Sequence, residues 1–506
     1  MMGREDPPQP SLFYTSFNLD KRVRSNHPLR KVAKVIDLGF VSDEVEHLYG
    51  YNGNVSVPPP VILKLMILLT FYNVRSEREL MDTLPERLDW LWFLGYDLDS
   101  EVPHHSVLSK ARHRWGAGLF QTFFERIVLQ CVEAGLVEGK KLFVDASLVD
   151  ANASKDSIVD THSLKRYFNR AYRKLEERLD SLEDNDEDDP SGGGKPPRQN
   201  VANSRHVSTT DHEASVMRKG AGKARLSYQA HRAVDAAYGV VTQTLLGPGD
   251  ENEAHRLMEL VDGHHTNTGR GVKTVVADRK YGTIANFLAC GKRGLRAHMP
   301  PLTDAQRNKG RREGIFPSSA FVYDQKKDTL ICPAGQVLTL RHRWEDRQAC
   351  EYMAKKDDCL ACDLRSQCTR SKTGGRTVRR NFEQDKLDEL YAAARSRPAR
   401  RDIRIRQHFM ERSFAEAGRY GFKRARWRGR ERVRIQDLLI AAVQNIRLLV
   451  THGKLKPAAA GKVGIVEHNK GKALSLLNTL WDLCFFLPVT AHSNTRDVDI
   501  SQPMTV

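Results

Sequence analysis

Two stretches decide the fold class: KLFVDASLV, residues 141–149, and KTVVAD, residues 273–278. Both are short apolar runs of strand character, and both carry an aspartate among or just after buried-type side chains. Between them lie residues 224–236 and 240–246, two β-rich runs around Tyr238-Gly239, which is a hairpin signature. Residues 255–261 and 284–290 read as helices. The order strand, hairpin, helix, strand, helix predicts an α/β layer built on a mixed sheet.

The chain has 506 residues, enough for several domains at about 100–200 residues each. Lys and Arg number 80 against 63 acids, a net charge of +17. The excess is concentrated: residues 395–434 hold 15 Arg and Lys against four acids, nearly all of the cations being Arg. A solvated helix face mixes signs, so this stretch points to a polyanion, and Arg suits phosphate forks. Its candidates for backbone contacts are Arg404, Arg406, Arg419, Lys423, Arg426 and Arg428. The longest apolar runs, residues 61–72 (broken by Lys64) and 480–489, fall short of the ~20 residues of a membrane span. The opening MMGREDPPQP is polar and Pro-rich, which excludes a secretory signal and leads to the expectation of a cytoplasmic protein with no membrane partner.

Before residue 116 the chain reads as short helices. Pro58, Pro59 and Pro60 precede the run 61–72, Ser76 and Glu79 make a capping box, and Gly95 follows LDWLWFL as a stop. Such helices, ending on Arg112 and Arg114, fit a small DNA-binding unit or a packing module. Residues 117–136 read as one amphipathic helix and 164–182 as a helical stretch. The run EDNDEDDPSGGGKPPRQN, residues 183–200, is too polar to bury a core and is expected to be a disordered insertion, about 183–205. Residues 300–378 break the pattern with basic loops and cysteines. Helices return at 382–394, 404–418 and 435–450, with an apolar helix at 474–487 in an otherwise peripheral tail.

Three acids stand out. Asp145 sits inside a strand, Asp278 ends another, and Glu411 lies in the basic helix RIRQHFMERSF. A carboxylate in a buried strand is costly unless it pairs or binds a cation. Acids ending neighbouring strands converge at one sheet edge, and three carboxylates without a convergent Cys/His set suit Mg²⁺ or Mn²⁺. Two such ions clamp the oxygens of an in-line phosphoryl displacement.

Taken together, several ordered blocks resemble the DDE transposases of bacterial insertion sequences, in the group numbered eleven eighty-two, related to the IS-four and IS-five groups. The block from VPPPVILKLMILLTFYNVRSEREL to VPHHSVLSKARHRW is similar to that family's helical domain. LFVDASLVDANASK and VVADRKYGT resemble its first and second aspartate blocks, and MERSF with GFKRARWRGRERVRIQDLLIAAVQNIRLL its glutamate block. The resemblance implies a ribonuclease-H-like fold with flanking helices and catalysis by Asp145, Asp278 and Glu411 with two divalent ions. It also implies double-stranded DNA as partner, namely element ends and target, with at least a dimer when ends are paired. Many relatives place Arg four residues before the glutamate and Lys seven after. Here those positions are Gln407 and Gly418, so Arg404 and Arg406, or Arg419 and Lys423, are the substitutes. Tyr281 keeps the family's aromatic, as a DNA contact or a packing residue. The resulting division is 1–116 helical and DNA-binding, 117–299 and 379–452 catalytic, 300–378 a Cys-rich insertion, and 453–506 a peripheral tail. A catalytically inactive, end-binding derivative is the competing reading, and a nuclease without strand transfer a third.

Five of the eight cysteines fall between Cys332 and Cys368. Cys332 opens Cys-Pro-x-Gly, and Cys359, Cys362 and Cys368 follow as Cys-x₂-Cys-x₅-Cys, a spacing that suits structural Zn²⁺. Cys350 is a fifth candidate. The pairs His104-His105 and His264-His265 lack ligand spacing and are expected to be surface or capping residues.

Overall fold

The computed structural model describes residues 18–50, 54–160, 203, 205–218, 224–302 and 314–453. The helix expected over 164–182, almost all of the acidic insertion and the helix expected over 474–487 lie outside the described residues.

The N-terminal part is built from α1 (Pro28–Val35), α2 (Pro59–Phe71), α3 (Glu77–Thr83), α4 (Leu88–Leu94) and α5 (Ser106–Glu133). Local chemistry sets their ends. Pro59 and Pro60 begin α2 where missing N–H groups cost nothing. The Ser76 hydroxyl accepts from the Glu79 N–H at 3.1 Å, and Gly95 ends α4 in the left-handed region. The continuous helix α5 is broken at Gly116, whose φ of 63° and ψ of −174° admit only glycine without strain.

The central sheet has β1 (Lys141–Asp150), β2 (Ser215–Met217), β3 (Arg225–Asp235), β4 (Val241–Pro248), β5 (Thr274–Val276) and β6 (Arg296–His298). Its order is β4-β3-β1-β5-β6, with short β2 sharing the β3 edge. β3 and β4 are antiparallel neighbours in the expected hairpin, β3 is antiparallel to β1, and β1, β5 and β6 run parallel. The sheet is mixed, as the order of elements implied.

Helices cover both faces. On one side α6 (Leu257–Thr268) and α7 (Ile284–Lys292) bury Leu142, Val144, Val275 and Ala277. The α9 helix (Gln384–Ala394, numbered after a short α8 below) joins this layer through Leu387 and Tyr391. On the other side lie α10 (Arg397–Arg419) and α11 (Arg430–His452). Phe143, between Leu142 and Val144 in sequence, faces this second layer, as alternation along a strand requires.

The α11 helix is buried continuously from Ile435 to Ile446, because the sheet lies on one side of it and α1, α2 and α5 on the other. Its buried polar residues are all engaged. Asp437 pairs with Arg232 at 2.7 Å and accepts from the Thr244 hydroxyl, while Gln444 accepts from Arg232 at 2.8 Å. Asn445 trades two bonds with the Val241 backbone, at 2.8 and 2.9 Å. One hydrophobic cluster therefore runs from the N-terminal helices through α11 into Phe143 and Val234 of the sheet.

Residues 300–378 differ from the sequence reading. Instead of basic loops alone they hold a second, antiparallel sheet of β7 (Val322–Asp324), β8 (Thr329–Ile331), β9 (Val337–Trp344), β10 (Ala349–Ala354) and β11 (Thr377–Asn381). The pattern hid it because β9 is exposed along most of its length and the core beneath is only seven residues, Cys350 among them. The β6 strand was also missed, being three residues long. His264 corrects another expectation: it is fully buried, with its Nδ1 2.8 Å from the Thr242 hydroxyl. His104 does cap, its Nδ1 accepting from the Ser106 N–H at 3.3 Å, and His265 is exposed. No helix of the described residues is long and apolar enough to cross a membrane.

Candidate metal and nucleic-acid site

Asp145 lies on β1 just beyond the point where β5 stops pairing, since the last β1–β5 partners are Phe143 and Val276. Its carboxylate is anchored by the Ala146 N–H at 2.9 Å and by Arg406 Nη1 at 2.8 Å. Asp278 follows the end of β5 and caps the turn Arg279–Tyr281, accepting from the Lys280 N–H at 2.9 Å. The middle of β1 and the end of the neighbouring β5 thus bring two acids together.

The third member is Glu253, which the sequence reading passed over. It sits in a single turn, Glu253–Arg256, that leads into α6 and is capped by Asn252. Gln229 Nε2 on β3 and Lys280 Nζ both donate to its Oε1, at 2.7 and 2.5 Å. Asp145, Glu253 and Asp278 each offer a carboxylate oxygen, and these oxygens lie within 4.8 Å of one another. The only sequence signal for Glu253 is an acid-rich turn between a strand and a helix, a pattern that turns show for capping reasons alone.

Burial raises the Asp145 carboxyl above its ordinary range; Arg406 opposes this and the neighbouring Asp278 charge adds to it. Glu253 is raised too, by burial first, with Lys280 opposing and the two aspartates adding. Tyr281 lies beneath, fully buried, and its hydroxyl has no hydrogen-bond partner among the described residues. A half-buried, partly desolvated set of hard oxygen donors whose negative charges oppose one another is matched by a divalent cation.

Glu411 stands apart from this set. It is on the exposed side of α10, one and a half turns beyond Arg406, and accepts from Gln407 Nε2 at 3.0 Å. The basic candidates divide. Arg404, Arg419, Lys423 and Arg428 are exposed. Arg406 is buried against Asp145 and the Val144 carbonyl, which makes it a partner of the acid cluster. Arg426 is directed inward, donating to Asn73 Oδ1 at 2.6 Å and to the Val74 carbonyl of the N-terminal region. Tyr281 packs in the core and presents no surface to a duplex. The loop carrying Lys423 and Arg424 is tied to the end of β1, the Asp150 N–H donating to the Lys423 carbonyl at 3.0 Å and the Ala425 N–H to Asp150 at 2.8 Å. Exposed cations therefore flank the strand that carries Asp145. Cys332, Cys359, Cys362 and Cys368 line one cavity in the second sheet's module, far along the chain from the acids, and Cys350 does not.

Two family models match the chain. Residues 17–114 match a transposase domain (DUF772), and residues 331–450 match a transposase DDE domain. The second stretch contains Glu411 and the exposed cations; Asp145, Glu253 and Asp278 lie between the two. No curated protein matches the chain.

Proposed function

We propose that this chain, both of whose matched stretches are transposase domains, is a DNA transposase that cuts and joins insertion-sequence ends through metal-dependent phosphodiester chemistry. The observation that carries the reading is the convergence of Asp145, Glu253 and Asp278 on the mixed sheet. The strand order β4-β3-β1-β5-β6, antiparallel on one side of β1 and parallel on the other, is the arrangement expected of a ribonuclease-H-like catalytic domain. Asp145 and Asp278 would hold the ions, Mg²⁺ or Mn²⁺, with Glu253 as a further ligand and Glu411 on α10 as the family's glutamate. Bound there, divalent ions neutralise the phosphate's charge and activate the attacking hydroxyl group.

The chain's own residues supply position. Arg406 fixes the Asp145 carboxylate from behind, and the Asp278 side chain is locked by its own turn. Lys423 and Arg428, exposed on the loop tied to β1, would take DNA phosphates. Two ends must be cut in register, so the active form on DNA is at least a dimer. The test is cleavage of a duplex carrying the DNA that flanks the gene, in Mg²⁺ and in EDTA, for wild type and for Asp145→Asn, Asp278→Asn, Glu253→Gln and Glu411→Gln. Metal-dependent cuts that vanish in both aspartate variants are expected. Cutting by either aspartate variant at the wild-type rate overturns the site. End binding without cutting by wild type would identify an inactive, end-binding derivative.

A further inference from the structure

The cysteine module is untouched by that reading, and its sulfurs are brought together from three separate places. Cys332 opens the turn between β8 and β9; Cys359 lies in the short helix α8 (Lys356–Leu360); Cys362 precedes the next turn, and Cys368 ends the four-residue helix Arg365–Cys368 after it. All four line the same cavity and none is in a disulfide. The Cys332 turn is closed at both ends, the Gly335 N–H donating to the Cys332 carbonyl at 2.8 Å and the Cys332 N–H to the Gln336 carbonyl at 2.9 Å. Gly335 takes a φ of 79°, which explains the glycine.

Two backbone N–H groups point at sulfur. Gln336 donates to Cys332 Sγ at 3.3 Å and Arg376 to Cys359 Sγ at 3.4 Å. Hydrogen bonds of this kind orient a ligand atom from outside the metal shell. The module has a small apolar core among the described residues. Its five strands cover a core of seven buried residues, one of them Cys350, and the β9 side chains are mostly exposed. A sheet with so small a core gains from a cross-link such as a bound metal. Cys350 is part of that core on β10, outside the cavity, which removes it from the ligand set.

We propose that Cys332, Cys359, Cys362 and Cys368 bind one structural Zn²⁺ that holds the β7–β11 module together, independently of the acid cluster. Four thiolates leave no open position, so the site is structural, and each thiol releases its proton on binding. Among the described residues, the acids are the one group of three or more whose ligand atoms all lie within 4.8 Å of one another, so the four sulfurs that line the cavity would have to draw together to take the ion.

The experiment uses the full chain purified in reducing buffer. Metal analysis is expected to find one zinc per chain, released by a mercurial thiol reagent. Replacement by Co²⁺ is expected to give an intense thiolate-to-metal charge-transfer band. Cys362→Ser should lose the metal and become protease-sensitive within 316–378 while the remainder resists; Cys350→Ser should keep the zinc. Zinc-free wild-type protein that shows no such band on adding Co²⁺ would overturn the proposal. So would retention of full zinc by Cys362→Ser, or its loss in Cys350→Ser alone. Cleavage activity plays no part in the readout, so failure here is distinct from failure of the transposase reading.

Discussion

Replacing Glu253 by Gln tests whether the three acids share one site. Carboxylate oxygens no more than 4.8 Å apart repel by about 3.5 kcal/mol per pair at an effective dielectric constant of ~20. Glu253→Gln removes two of the three pairs and keeps an oxygen to accept from Gln229 Nε2 at 2.7 Å. It also removes the partner of Lys280, whose side chain is 67% exposed, a loss of about 0–1 kcal/mol. Protonation of the raised carboxyl and solvent at the open side offset much of the repulsion in the wild type. The expected net gain is about 2 kcal/mol without metal, roughly 4–8 °C in Tm for a cooperative unit of this size. The same change removes an ion ligand, so the Tm rise on adding millimolar Mg²⁺ should be smaller than in wild type. Thermal unfolding in EDTA and in Mg²⁺ reads both effects. A variant that melts at or below wild type in EDTA would refute the shared-charge account. One that is stabilised yet keeps the full Mg²⁺ response would remove Glu253 from the ligand set.

The remaining expectations concern pH and the buried ion pair. Burial holds the Asp145 and Glu253 carboxyls above the usual range, so the folded state binds their protons more tightly than the unfolded chain does. Stability from these two groups is therefore present at low pH and lost as pH rises through their folded values, and an ion must displace the same protons. The Mg²⁺-induced rise in Tm should be full near about pH 8 and shrink on acidification, before ordinary carboxylates titrate; a pH-independent rise would contradict this. Arg232→Met leaves Asp437 buried without its cation and should cost about 3–5 kcal/mol by urea unfolding. Arg232→Met with Asp437→Leu should recover most of that, and no recovery would mean the loss lies in packing instead.

Much of the central sheet layer was legible because local signals and tertiary demands agreed. The runs 141–149, 224–236 and 240–246 became β1, β3 and β4, since apolar β-rich strings destined for a covered sheet have few other solutions. Gly95, Ser76 and the Pro run marked helix ends through chemistry that needs no distant partner. The second sheet was not legible, because its exposed strands alternate weakly and its core is too small to leave a pattern.

For the site, the sequence by itself determined that Asp145 and Asp278 lie on or after apolar strands, a placement dictated by strand periodicity and by the cost of a lone buried charge. Only the tertiary structure decided their company. Glu253 enters through a turn whose neighbours are fixed by β3 and Lys280, while Arg406, read as a DNA contact, turns inward to Asp145. Tyr281 and His264 were likewise settled by packing, since a side chain's exposure depends on what the rest of the chain lays over it. Residue type and spacing determine which elements form; which side chains meet across them depends on register, helix rotation and strand ends, and no local stretch carries that information.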